Sequence, residues 1–594
     1  MRRTTLAALS ATALLLPTAP AHAAEPVMPL GEVQVGSVCQ AASVIRGEAI
    51  STFSAEVLDI IRGPQPELSR ILIRVSGPAV DVTGVGPGFS GTPIRCPRPD
   101  GSFAIAGAIS EGIGEYGGKV IFATPIEPIL AEPVEPPLVR PRARSATPPA
   151  VAIAGARPLT GPLTLAGAGA RTSRVLRRAA RKAGRQLIAT PGARPRQASG
   201  LTAPVTPIQP GSAVFAGYST GQVALGALGT AVYADGPKVW AFGHPFEGAG
   251  RRALYLQTAR VSGIIFNPIG SSELSTYKLG EPVADAGTVS GDGISAIAGT
   301  TGAAPPSYPM RVLAEDLQSG RQQTLTARIA DESALGQPSG VSGFGIVSGA
   351  AASTLAVTVL KGGTPSRTSG EMCVRLRVRQ VKDQLRFCNR YVLGPGSPAL
   401  GIAGPVMTDI SAAAGLIDAY EFGALQPADL QIALRLRRGT TQSFVESVSA
   451  PSTLRRGRRA TLRLRLRRAS SGRVTTKSIR FTVPSGAPRG ERLLTVTGPP
   501  SDAAGSEEEL STELEGLFGG DEAGDSGAGP STPAEFAEAF EALQRYDGLR
   551  LSFPSEEDLE SPEGDGGGAD SGTRLYRDPQ LRLSGTARTP VTVR

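Results

Sequence analysis

The chain has 594 residues, with 61 basic and 52 acidic side chains and a formal net charge of +9. Hydrophobic residues make up 40% and aromatics only 5%, so its cores must rest on Ala, Val, Leu and Ile. Two histidines in the whole chain exclude a histidine-based metal centre, and with no CxxC pair the cysteines do not read as a zinc site. The length predicts about four domains.

Residues 1–23 read as a secretory signal peptide. Arg2 and Arg3 precede an apolar run over 6–16, and Ala21-His22-Ala23 forms a small-residue cleavage site. That run falls well below the ~20 residues of a membrane span. The expectation is a secreted or cell-envelope protein with no integral membrane span. Four cysteines suit an oxidising compartment. They allow three pairings, of which the local one, Cys39–Cys96 with Cys373–Cys388, is the simplest. Loss of His22 with the leader would leave His244 as the one histidine of the mature chain.

Residues 30–131 alternate and carry β-branched residues over 53–61, 70–75, 102–109 and 119–129, which predicts strands. Residues 132–204 form a linker, Pro-rich at first, with a basic helix predicted over 172–189. Strands return over 205–345: Asp235-Gly236 marks a hairpin between 231–233 and 238–242, and 261–266, 283–289, 309–314 and 323–329 follow. Residues 352–500 read as an Ig-like β-sandwich with strands over 354–360, 374–378, 430–436, 460–466 and 478–483. The acidic tail, 501–594, reads as partly disordered, with a helix over 532–546 and a last strand over 581–593. The basic segments would suit the acidic tail or an anionic wall or membrane surface. An exported chain meets little nucleic acid, so none is expected as a partner.

Two strings carry chemistry. In Gly88-Phe89-Ser90-Gly91-Thr92-Pro93, glycines on either side of a serine permit a sharp turn. The N–H groups of Gly88 and Ser90 would then form an oxyanion hole beside the Ser90 hydroxyl. The second string, Trp240-Ala241-Phe242-Gly243-His244-Pro245-Phe246, ends the hairpin. A serine hydroxyl needs a base within hydrogen-bond reach, and imidazole suits the task near neutral pH.

The serine string, Asp100-Gly101, the apolar stretch from Ser102 and Thr124-Pro125-Ile126-Glu127-Pro128-Ile129 together resemble the sporulation factor IV B (SpoIVB-type) serine peptidase family. So do the histidine string, Ala259-Arg260-Val261 and Gly291-Asp292-Gly293-Ile294. The resemblance spans about residues 30–131 and 205–345. It implies a mainly β chain with a trypsin-like double β-barrel, Ser90 as nucleophile and His244 as base, acting on a protein or peptide substrate with no cofactor. Two features depart from the family pattern. The serine segment precedes the histidine segment, and the expected acidic position reads Val75-Ser76-Gly77-Pro78. Asp81 is the nearest substitute, with Asp292 and Asp285 behind it. The expectation is an exported serine endopeptidase. The alternatives are a catalytically inactive peptidase-like scaffold binding envelope proteins or anionic polymers, and a basic adhesin.

Overall fold

A computed structural model describes residues 24–113, 117–136, 156–158, 162–190, 206–266, 276–335, 340–360, 367–393, 400–420, 422–499, 506–519, 529–555 and 572–594. The leader and its cleavage site, and most of the Pro-rich stretch, lie outside these residues.

The chain is mainly β. The first unit holds β1 (Val38–Arg46), β2 (Ala49–Ile61), β3 (Arg70–Ser76), β4 (Pro93–Pro97), β5 (Phe103–Ile113), β6 (Val120–Pro125), a short helix α1 (Ile126–Ala131) and β7 (Ala156–Pro158). The sheet order is β4-β1-β2-β3-β6-β5-β7, and an extra β4–β5 pairing closes six of these strands into a barrel. Alternation along β2 and β3 places Phe53, Ala55, Val57, Ile71, Ile73 and Val75 in its interior. The Cys39–Cys96 disulfide ties the neighbouring strands β1 and β4 together on the core side. The strand expected over 119–129 stops at Pro125, because Pro128 and the following apolar residues form α1 and pack inward.

Next come β8 (Leu163–Ala166), α2 (Ala170–Lys182), β9 (Leu187–Thr190), β10 (Ala213–Gly217), β11 (Ser219–Gly221), β12 (Ala224–Asp235), β13 (Lys238–Ala241), β14 (Gly250–Phe266), β15 (Thr276–Asp292) and β16 (Ile297–Thr301). The second sheet runs β10-β14-β15-β16-β13-β12-β8-β9, and a β10–β12 pairing curls it back on itself. The basic helix expected over 172–189 is α2, but it ends at Lys182 and Leu187–Thr190 forms β9; the stretch expected as a linker thus adds β7 to the first sheet and β8 and β9 to the second. The predicted Asp235-Gly236 hairpin joins β12 to β13.

Elements β17 (Ser307–Asp316), β18 (Gln322–Ala330), α3 (Gly343–Thr358), β19 (Thr368–Val378), β20 (Leu385–Leu393), α4 (Ala403–Asp418) and β21 (Pro427–Arg438) follow. They correct the expected boundary between 345 and 352. Strands β17 and β18 leave the second unit and join β19, β20 and β21 in a sheet ordered β11-β18-β17-β21-β19-β20. The residues expected as a strand over 354–360 mostly belong to α3. Its Ala-, Ser- and Gly-rich surface is buried nearly all round, so it has no amphipathic stripe to read. The second disulfide, Cys373–Cys388, bridges the facing strands β19 and β20.

The last strands are β22 (Gln442–Ser449), β23 (Thr453–Leu454), β24 (Arg459–Arg468), β25 (Val474–Thr482) and β26 (Gly490–Thr497). After helices α5 (Glu507–Glu513) and α6 (Pro533–Ala542) come β27 (Leu549–Ser552), β28 (Thr573–Tyr576), β29 (Arg582–Ser584) and β30 (Thr586–Val593). They build two sheets, β25-β24-β22-β29 and β23-β30-β26-β27-β28, around one apolar core. The double layer expected over 352–500 therefore runs from 442 to 593, and strands from the acidic tail complete it. The tail also touches the linker: Arg174 and Arg178 of α2 pair with Glu507 of α5, and Lys182 pairs with Glu508.

The first two units pack directly on each other. One apolar patch joins Ile105, Ala108, Ile126 and Ile129 to Val232, Tyr233, Trp240 and Ala298. Another joins Val44 to Phe215, Leu228 and Val261. Between these patches runs a polar seam, and both chemistry-bearing strings lie on it.

Candidate active site

The serine turn precedes β4. Gly88 and Gly91 have φ of +91° and +87°, values that favour glycine. Crowding demands glycine there as well. A Cβ on Gly91 would stand 2.0 Å from the Thr230 carbonyl oxygen, and one on Gly88 would stand 2.8 Å from Lys278 Cβ. Ser90, between them, is 1% exposed, and its Oγ makes no hydrogen bond among the described residues. The N–H groups of Phe89, Gly91 and Thr92 donate to Gly86, Ile109 and Phe89 carbonyls, but those of Gly88 and Ser90 have no acceptor among the described residues. An unmade bond on a buried polar group costs about 1–3 kcal/mol, so such groups gather where chemistry is done. One hydroxyl and two uncommitted N–H groups are the components of acyl transfer.

The histidine turn follows β13. Phe242, with φ +73°, is the one non-glycine at positive φ among the described residues, and Gly243 follows at +71°. Such a conformation costs roughly 1–3 kcal/mol and is held by its surroundings. Here the Phe242 N–H donates to the Thr230 carbonyl at 3.2 Å, and Thr124 Oγ1 donates to the Gly243 carbonyl at 2.8 Å. His244 is 2% exposed, and its Nδ1 lies 2.7 Å from the Pro245 carbonyl oxygen. A carbonyl only accepts, so Nδ1 carries the proton and Nε2 is the basic nitrogen. The Pro245 carbonyl thus orients the ring, the role that a carboxylate plays in a serine triad.

Thr230 joins the two turns. Its N–H donates to the Ser90 carbonyl at 2.8 Å while its own carbonyl accepts from Phe242. Ile109 of β5 also meets both: its carbonyl accepts the Gly91 N–H and lies 3.3 Å from the Cβ position of Gly243. Ser90 and His244 therefore sit on adjoining turns, with no hydrogen bond between Ser90 Oγ and the ring.

The acidic candidates lie elsewhere. Asp81 is exposed; its carboxylate accepts from the Gly77 N–H at 3.1 Å and pairs with Lys119 at 3.5 Å, so it is not brought to the buried ring. Asp285 accepts from Thr220 and Gln257. Asp292 has a different role: its buried carboxylate accepts the Phe246 and Glu247 N–H groups at 2.8 Å each and that of Ala249 at 3.3 Å. Burial raises its pKa, and the nearby Arg252 guanidinium partly offsets this. Asp292 thereby anchors the chain just after His244. Its position in a Gly-Asp-Gly string was the available signal. Among the described residues, no three His, Cys, Asp or Glu side chains cluster to hold a metal.

Sequence reasoning passed over Lys278. It lies buried on β15 directly under Gly88. No alternation marked it, because it shares its buried face of β15 with Thr276 and Gly280 while Tyr277 and Leu279 take the other face. No family model, curated protein or solved structure matches this chain.

Proposed function

We propose that the protein is an exported serine endopeptidase that cleaves peptide bonds of envelope or extracellular proteins, with a trypsin-like, SpoIVB-type pair of barrels in rearranged order. The observation that carries this reading is Thr230 holding the Ser90 turn and the His244 turn together across the seam. Ser90 Oγ attacks the scissile carbonyl carbon and passes its proton to His244 Nε2. The N–H groups of Gly88 and Ser90 hold the resulting oxyanion. Collapse expels the amine, which takes the proton from His244 and leaves an acyl-Ser90. Water then attacks the acyl carbon, gives a proton to His244 and releases the acid, restoring the Ser90 hydroxyl. Two disulfides support an oxidising location.

One observation favours a second reading. Ser90 Oγ is buried and makes no bond to His244, as a non-catalytic scaffold would allow. A proteome-derived peptide library incubated with the full chain separates the two. New N-termini that vanish with Ser90→Ala are expected. A wild-type digest identical to that of Ser90→Ala would favour the scaffold.

A further inference from the structure

The seam holds a second cluster beside the proposed nucleophile. Lys278 Nζ is 2.6 Å from Ser43 Oγ and 4.2 Å from the centroid of the Phe89 ring. Ser43 Oγ in turn lies 3.0 Å from Thr92 Oγ1 and 3.2 Å from Thr230 Oγ1. Thr92 donates to the Phe89 carbonyl at 2.6 Å and Thr230 to the Gly88 carbonyl at 3.1 Å. The Lys278 main-chain N–H donates to Pro87 at 2.9 Å. Every link ends on a carbonyl of the turn that presents Ser90.

The hydrogen-bond accounting assigns the protonation state. A hydroxyl has one proton, and both threonines commit theirs to carbonyls. Ser43 accepts from the lysine. An ammonium would bring three N–H groups and a full charge to a position where Ser43 Oγ is the one acceptor bonded to Nζ among the described residues. An amine brings two, the second lying over the Phe89 ring. No carboxylate bonds to Lys278 among the described residues. Ser43 of β1 and the Phe89 ring of the serine turn face Nζ, and Thr92 of that turn and Thr230 of β12 lie one contact further on, against Ser43. On β14, Arg260 is exposed, while Tyr277 and Glu281 of β15 sit at alternate positions that take the opposite face. Burial accordingly lowers the pKa of Lys278 to about 7.

We propose that Lys278 is a positioning residue. As a neutral amine it braces the Gly88–Phe89 carbonyls through Ser43, Thr92 and Thr230, and so sets the direction of the Gly88 and Ser90 N–H groups. Protonation loosens the brace. A second nucleophile at Ser43 fits the cluster less well, because Ser43 lies in mid-strand with its neighbours' N–H groups in the β1–β2 ladder. The function in turn positioning rests on the peptidase reading, whereas the neutral amine does not.

The test uses the full chain between pH 5.5 and 9 and measures two quantities: the rate of Ser90 labelling by a fluorophosphonate and the thermal midpoint. An unfolded lysine titrates near 10.4. Between about 7 and that value the unfolded chain binds the extra proton, so stability rises with pH; below about 7 the penalty is present in full. The midpoint should therefore rise from pH 7 to 9 in wild type and stay level in Lys278→Met. From pH 9 to 5.5 the labelling rate should fall about tenfold further in wild type than in Lys278→Met, because protonation loosens a brace that the variant lacks at every pH. Ser43→Ala, which keeps the amine but cuts the link, should keep the midpoint rise and label roughly tenfold more slowly at pH 8. Parallel pH profiles of labelling in wild type and Lys278→Met, or Ser43→Ala labelling at the wild-type rate, would overturn the brace. A wild-type chain that takes no label but keeps a Lys278-dependent midpoint rise would overturn the peptidase reading and leave the neutral amine standing. Loss of that rise would overturn the amine itself.

Discussion

The main-chain N–H of Thr230, in the histidine-bearing unit, donates to the carbonyl of Ser90, in the serine-bearing unit, at 2.8 Å. This bond crosses 140 positions of sequence and fixes where the Ser90 turn meets the His244 turn. It leaves no room at Gly91, which lies between Ser90 and the Thr230 carbonyl.

Gly91→Ala should therefore be severe. The new Cβ would meet main-chain oxygen at 2.0 Å and nitrogen at 2.6 Å, and neither can swing away as a side-chain tip would. A loss above about 3 kcal/mol, or failure to fold, is expected. Gly101→Ala is the control: φ there is also positive, at +81°, but nothing stands within 4 Å. Its cost should be near 1 kcal/mol. Denaturant midpoints of the two variants check the contrast, and equal losses would contradict the packing of the seam.

The two aspartates should separate cleanly. Asp81→Asn removes a solvent-exposed turn contact and a surface ion pair. It should change stability by under ~1 kcal/mol and Ser90 labelling by less than about twofold. Asp292→Ala strands three buried N–H groups and leaves buried Arg252 with one fewer acid. About 3 kcal/mol of stability should go with it. Loss of labelling in Asp81→Asn would restore Asp81 as the third catalytic residue.

Much of this was legible in the sequence, for identifiable reasons. Strands such as β2, β3 and β24 alternate plainly, Asp235-Gly236 marks its hairpin, and glycines flank the one serine that needs them. Helix α3 was not legible: burial on all sides erases the stripe that a half-exposed helix shows. Nor was the departure of β17 and β18 into a third sheet, since alternation tells which face is buried and not which strand is the neighbour. Lys278 was hidden for the same reason, because its importance lies in Ser43, 235 positions away. The Pro245 carbonyl that orients His244 has no side-chain signature at all.

The Cys39–Cys96 bridge closes 57 residues and joins β1, which carries Ser43, to β4, which follows the serine turn. Loop-closure entropy puts its contribution near 4 kcal/mol. Cys39→Ser with Cys96→Ser should lower the denaturant midpoint by about that energy. An unchanged midpoint would mean that the barrel core suffices alone.

The contact between α2 and α5 should be weak and salt-dependent. Arg174, Arg178 and Lys182 are partly exposed, so each pair contributes about 0–1 kcal/mol. Glu507→Gln should destabilise by under ~1 kcal/mol at low ionic strength and by nothing measurable at 1 M salt. An effect that survives high salt would point to packing rather than charge.

The central claim is that Ser90 is a nucleophile activated by His244. A fluorophosphonate probe, followed by mass-spectrometric mapping of the modified residue, tests it on the full chain. A single adduct on Ser90 is expected, absent from Ser90→Ala and strongly reduced in His244→Ala. An unlabelled wild type, or equal labelling of wild type and Ser90→Ala, would contradict it.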